Sequence, residues 1–118
     1  MYAIQFPSSA LADIKSIPKH LREPIKKELL KKVALDPVGC SKELHGKLHA
    51  YRSFVWQEYR IVYRVFFELR VVAVVGIGSR SPQSVDNIYR RLEALANAGE
   101  LAADVLFSLR GFSEGEDR

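Results

Sequence analysis

Three stretches in the second half of the chain constrain its fold most. Tyr51–Trp56, Tyr59–Phe67 and Arg70–Gly78 are rich in β-branched and aromatic residues, with only short polar breaks between them. Breaks that short leave no room for a crossover, so the strands are expected to be antiparallel neighbours in a meander. Side chains on a strand alternate faces with a period of two. In the middle strand Tyr59, Ile61, Tyr63 and Val65 form an apolar face, and Arg60 and Arg64 fall on the other. In the last strand Val71, Ala73, Val75 and Ile77 share one face, with Arg70 and Arg80 opposite. Arg52 shares a face with Phe54 and Trp56.

The first half reads as helical. Tyr2–Phe6 is a short opening strand that ends at Pro7. Ser8 and Ser9 then offer capping oxygens to a helix with Leu11, Ile14 and Ile17 at helical spacing, closed by Pro18. A second helix is predicted from about His20 to Leu35, with Leu21, Ile25, Leu29 and Val33 on one stripe. Pro24 sits near its first turn, and Asp36-Pro37 stops it. After the strands a helix is predicted from about Ser84 to Asn97, with Val85, Ile88, Leu92 and Leu95 on one side. Gly99 separates it from a short amphipathic piece, Glu100 to Leu109, whose stripe is Leu101, Val105, Leu106 and Leu109. The remaining residues are expected to be disordered. The implied architecture is α+β: two N-terminal helices on one face of an antiparallel sheet of about four strands, followed by a C-terminal helix. Residues 1–97 form the expected domain and 98–118 an acidic extension.

If helices cover the apolar face, the other face gathers Arg52, Arg60, Arg64, Arg70 and Arg80 around aromatic side chains. Guanidinium groups interleaved with rings suit phosphates and unstacked bases. The same pattern also describes an ordinary solvated strand face. Charge distribution adds to the first reading. From Lys15 to Arg91 there are 16 Lys/Arg against 7 Asp/Glu, whereas from Leu92 onward there are 2 against 6. A basic body with an acidic tail suggests a polyanionic partner for the body.

Several chemistries are disfavoured. The single cysteine, Cys40, has no second thiol for a disulfide and no histidine in a catalytic register. His45 and His49 are four apart, but Gly46 argues against a helix between them and no third ligand is near, so no metal site is expected. Gly76-Ile77-Gly78 is half a dinucleotide loop without its third glycine or a βαβ setting. No cofactor is expected. The longest uncharged apolar run, Val71–Gly78, is too short to span a bilayer, and the chain begins directly with a strand. A cytoplasmic location without membrane association is expected.

The order of the pieces resembles a known family. Ile17-Pro18-Lys19-His20-Leu21-Arg22 is followed by Leu44-His45-Gly46-Lys47-Leu48 and Tyr51-Arg52. Then come Glu58-Tyr59-Arg60-Ile61-Val62-Tyr63-Arg64-Val65 and Val75-Gly76-Ile77-Gly78-Ser79-Arg80. In this order the motifs resemble the RelE/ParE superfamily of toxins from type II toxin–antitoxin pairs, over residues 2–92. The resemblance implies one of two activities. RelE-type members cleave messenger RNA on the ribosome, and ParE-type members inhibit DNA gyrase without cutting nucleic acid themselves. A third alternative is an inactive member that only binds its antitoxin. All three imply a cognate acidic antitoxin as partner, and a homodimer or toxin–antitoxin hetero-oligomer stays open.

For the ribonuclease alternative, the resemblance places Arg60 and Arg80 as stabilisers of phosphorane charge. It places Arg52 where the family pattern has the first of two lysines, and Tyr89 as the tyrosine that follows the last arginine. Phe54 stands in place of the second lysine, and Tyr89 follows Arg80 by nine residues, farther than the pattern. Arg64, Arg70, Phe54 and Trp56 are the expected RNA-binding residues. A metal-independent endoribonuclease is the first expectation, with gyrase inhibition as the alternative.

Overall fold

The computed structural model describes the backbone of residues 1–79 and 82–116, and the side chains of residues 1–79 and 88–109. In chain order the elements are β1 (Ala3–Gln5), α1 (Ser8–Ser16), α2 (Lys19–Glu28), β2 (Lys42–Glu43), β3 (Arg52–Trp56), β4 (Tyr59–Phe66), β5 (Val71–Ser79), α3 (Pro82–Asn97) and α4 (Glu100–Glu116). A wider π-type turn, Leu29–Val33, extends α2. One sheet has the strand order β1-β5-β4-β3-β2. The meander is antiparallel as expected, but β1 joins β5 in parallel and makes the sheet mixed.

The sheet is covered on both faces. On the first, Ala10, Ile17, Ile25, Leu29 and Val33 from the N-terminal helices pack on Phe54, Ile61, Tyr63, Val72, Val74 and Ile77. On the second, Ile88, Leu92, Leu101, Val105 and Leu109 from α3 and α4 pack on Val62, Val71, Ala73 and Val75. Covering both faces explains why β5 is apolar without alternation: every residue from Val71 to Val75 is fully buried. It also means the second face is not the open surface the alternation implied.

A bulge in β5 redistributes its residues. Val62 pairs with Gly76 and Tyr63 with Val74, so Val75 is the extra residue. Val71, Ala73 and Val75 do share the second face, but Ile77 lies on the first, contrary to strict alternation. The bulge leaves ladder groups unpaired, and α1 supplies their partners. Ser9 Oγ donates to the Val75 carbonyl at 2.9 Å, and Asp13 Oδ2 accepts from Ile77 N–H at 2.9 Å.

The serines expected to cap α1 are thus used otherwise. Pro7 occupies the cap position with no side-chain bond, and Ser8 Oγ donates to Asp104 of α4 at 2.8 Å. Leu11 is exposed, off the buried stripe. Leu101, Val105 and Leu109, four residues apart, bury one α4 stripe in the second core, whereas Leu106 turns outward and is 61% exposed. α4, Glu100–Glu116, is thus longer than the expected short piece, and its buried stripe joins the second core. Among the described residues no helix is long and apolar enough to cross a membrane.

Candidate active-site cleft

Strand register decides which charged side chains meet. The β3–β4 loop has only two residues, Gln57 and Glu58, with Gln57 in left-handed backbone (φ 50°), and it pairs Trp56 with Tyr59. Val55 is then opposite Arg60, Ser53 opposite Val62, and Arg52 opposite Tyr63. Residues paired across an antiparallel ladder share a face. Ser53, Val55, Arg60 and Arg64 therefore face α3, while Arg52, Phe54 and Trp56 face α1 and α2.

This division corrects the expectation of a single arginine–aromatic groove. Phe54 is buried in the first core, and Trp56 packs against that core, stacked on Tyr59 with ring centroids 6.5 Å apart. Arg52 is bound to the chain itself. Its Nε donates to Ser41 Oγ at 2.6 Å, Nη2 donates to the Ser41 and Val38 carbonyls, and Nη1 lies 3.5 Å from Glu43 Oε1. With those donors occupied, Arg52 fastens the 38–43 segment to the sheet.

Arg64 and Arg70 lie away from Arg60. Arg64 is over the Phe66 ring at 4.9 Å, and its charge partly offsets the burial that pushes the Tyr51 phenol above its usual range. Arg70 is not in the strand. It sits in the β4–β5 turn in left-handed backbone (φ 56°), over the Tyr2 ring at 5.7 Å. Six residues of strand separate the Arg60 and Phe66 ends of β4, roughly 20 Å. Arg80 lies outside the described residues.

At the Arg60 end there is a cleft of about 480 Å³, lined by Gly39–Leu44, Ser53, Val55, Arg60 and Tyr89. Tyr89 belongs to α3, and the helix carries its ring across the sheet to Arg60. Arg60 Nη1 donates to Tyr89 Oη at 3.4 Å, and Tyr89 Oη donates to Ser53 Oγ at 3.3 Å. Both bonds are long and weak. Arg60 Nε–H is buried and has no partner among the described residues. A guanidinium and a phenol side by side at a cleft are donors of the kind that oxyanions accept from.

The helix reaches this position because two glycines let it lie close on β5. A Cβ on Gly78 would stand 3.0 Å from Ile88 Cβ, and one on Gly76 would stand 3.2 Å from Leu92 Cδ1. Asp13 holds the other side of α3: its buried carboxylate accepts from Arg91 Nη2 at 2.6 Å while also binding Ile77 N–H.

Cys40 lines the cleft, but burial raises its thiol pKa, so the unreactive thiol form is favoured. Tyr63 beside it is pushed further in the same direction by burial, with its hydroxyl donated to the Pro37 carbonyl. Among the described residues no group of three or more His, Cys, Asp or Glu side chains could hold a metal ion.

Sequence reasoning missed Lys42, Glu43 and Ser53 as cleft residues. A two-residue strand has no periodicity to read, so β2 was invisible. Ser53 was detectable, since a two-residue hairpin loop fixes its face.

A family model described as the ParE toxin of the type II toxin–antitoxin system parDE matches residues 4–84. No curated protein matches. A chain of the toxin–antitoxin complex RelBE2 from Mycobacterium tuberculosis has the same fold: TM-score 0.64, 22% identity, covering 67% of this chain and 98% of that one. The isolated RelE toxin of E. coli matches with TM-score 0.56 and 28% identity, covering 76% and 98%. A chain of the intact E. coli RelBE toxin–antitoxin complex matches with TM-score 0.56 and 28% identity, covering 67% and 96%.

Proposed function

The chain belongs to the RelE/ParE superfamily of toxins from type II toxin–antitoxin pairs, and we propose that it is an endoribonuclease acting in the cytoplasm on ribosome-bound messenger RNA. The observation that carries the reading is Arg60, whose buried Nε–H has no partner among the described residues and whose Nη1 rests on Tyr89 at the cleft.

The reaction is an attack of a ribose 2′-oxygen on the adjacent phosphorus. A P–O2′ bond forms and the P–O5′ bond breaks, leaving a 2′,3′-cyclic phosphate and a 5′-hydroxyl. Arg60 donates to the non-bridging oxygens as they gain charge, from a position fixed by the sheet. Arg80, by its place in the family pattern, supplies a second guanidinium. The Tyr89 hydroxyl, held by Arg60 and Ser53, gives its proton to the departing 5′-oxygen. The 2′-hydroxyl proton passes to solvent water, because Glu43, the carboxylate at the cleft wall, is paired with Arg52 on the opposite face of the sheet. Arg52 acts through structure, keeping the 38–43 wall in place.

The partner that restrains this activity is a cognate antitoxin. Its segment is proposed to carry acidic and apolar residues matched to the basic body. A second functional reading rests on the family model itself, which is built on ParE toxins; it makes the target DNA gyrase. The test is cleavage of a defined message on purified ribosomes. Arg60→Ala and Arg80→Ala should each slow cleavage about 100-fold. A wild-type protein that leaves the message intact while trapping gyrase–DNA breaks would transfer the assignment to the second reading.

A further inference from the structure

We infer that Lys42 is a phosphate-binding residue of the cleft, holding the RNA backbone phosphate next to the one bound by Arg60. The inference deepens the ribonuclease reading and rests on it for the identity of the polyanion.

Register places Lys42 opposite Ser53, and hence on the face of Arg60 and Tyr89, while Glu43 is opposite Arg52 on the other face. Lys42 and Arg60 both line the cleft, from β2 and β4 on either side of β3. Two strand spacings and two residue rises separate their Cα atoms by roughly 12 Å. Two long cationic side chains that far apart suit neighbouring phosphates of one strand better than a single anion.

Lys42 is also electrostatically available. It is exposed and has no ion-pair partner among the described residues, whereas Arg52 takes up Glu43 and Arg91 takes up Asp13. The nearest carboxylate on its own strand is thus drawn to the opposite face. Its backbone is held in place as well. Arg52 binds the Ser41 hydroxyl and carbonyl just before it, and Leu44 N–H bonds the Tyr51 carbonyl just after it. A flexible ammonium on a fixed strand, next to the hydroxyls of Ser53 and Tyr89, matches a sugar–phosphate backbone. An acidic peptide would also need apolar anchoring, and the largest exposed apolar side chain lining the cleft is Val55.

The test is binding of a short single-stranded RNA of mixed sequence, 2′-O-methylated throughout so that it cannot be cut. Fluorescence anisotropy is recorded over a range of salt concentrations with the full-length protein. Lys42→Gln should weaken binding several-fold and lower the salt slope by about 0.7. Lys42→Arg should retain both, and Lys47→Gln, outside the cleft, should change neither. Thermal melts of the exposed-site variants should match wild type. Wild-type binding and salt slope in Lys42→Gln would overturn the inference, as would loss of antitoxin affinity without loss of RNA affinity. A wild-type protein that binds no RNA overturns it too. Cleavage of unmodified message is measured separately. Lys42-dependent binding without cleavage upholds the phosphate site and removes only the ribonuclease reading.

Discussion

Gly78→Ala tests whether α3 must lie directly on β5 for the cleft to exist. The added Cβ would meet Ile88 Cβ and Cδ1 at 3.0 Å and Cγ2 at 3.1 Å. Carbon atoms in contact prefer about 3.5–4.0 Å, so Ile88 must retreat by roughly 0.5–1 Å. A β-branched side chain on a helix has one strongly preferred χ1 rotamer and cannot swing aside. The helix backbone itself has to lift. Overpacking of this kind costs about 1–3 kcal/mol. A loss of about 2 kcal/mol lowers the melting temperature of a domain this size by about 10 °C. The larger effect is on the neighbouring residue. Tyr89 follows Ile88, and its contacts to Arg60 and Ser53 are already 3.4 and 3.3 Å, so the same displacement breaks both. A misplacement near 1 Å costs on the order of 100-fold in rate. Calorimetry and message cleavage should therefore both change, cleavage the more. Gly99→Ala is the contrasting variant. Gly99 is in left-handed backbone (φ 75°) with open space around its Cβ, so it should lose about 1 kcal/mol and keep its activity. A Gly78→Ala protein with wild-type melting and cleavage would refute the close-docking argument.

Four further outcomes follow from the same contacts. Tyr89→Phe should slow cleavage about 100-fold while changing urea-unfolding stability by less than about 0.5 kcal/mol, because the lost bonds are long. Asp13→Ala should cost about 2–3 kcal/mol in urea unfolding, since Ile77 N–H loses its acceptor and Arg91 its partner. Deleting residues 99–118 removes Leu101, Val105 and Leu109 from the second core, each worth about 1.5–3 kcal/mol, and should give an aggregation-prone protein that binds an apolar dye. Burial raises the Tyr63 phenol above its ordinary 10.0. The unfolded chain therefore ionises first, and stability measured by denaturation should be full below pH 10.0 and fall above it.

What the sequence revealed depended on how much regular repetition each element offers. The meander was legible because eight residues of β4 show their period plainly, and the Tyr59, Ile61, Tyr63, Val65 face does pack in the first core. The helical stripe through Ile25, Leu29 and Val33 was legible for the same reason. Alternation within a strand does not give the relation between strands, and there the reading failed. Arg52 and Arg60 each fell on an arginine-bearing face, but a two-residue hairpin loop puts them on opposite sides. The apolar run Val71–Val75 carried evidence of a sheet covered on both faces, which one-sided alternation overlooked. Tyr89 read as a helix residue, and it is one. Its contact with Arg60 comes from tertiary docking over Gly76 and Gly78, which no local pattern encodes.

The central claim is tested most directly by the chemistry of the RNA ends. Wild-type protein is incubated with ribosomes stalled on a defined message, in a reaction that also contains gyrase and supercoiled plasmid. The account predicts message fragments ending in 2′,3′-cyclic phosphate and beginning with 5′-hydroxyl, formed about 100-fold more slowly by Arg60→Ala, and an intact plasmid. Uncut message together with gyrase-linked plasmid breaks would contradict it.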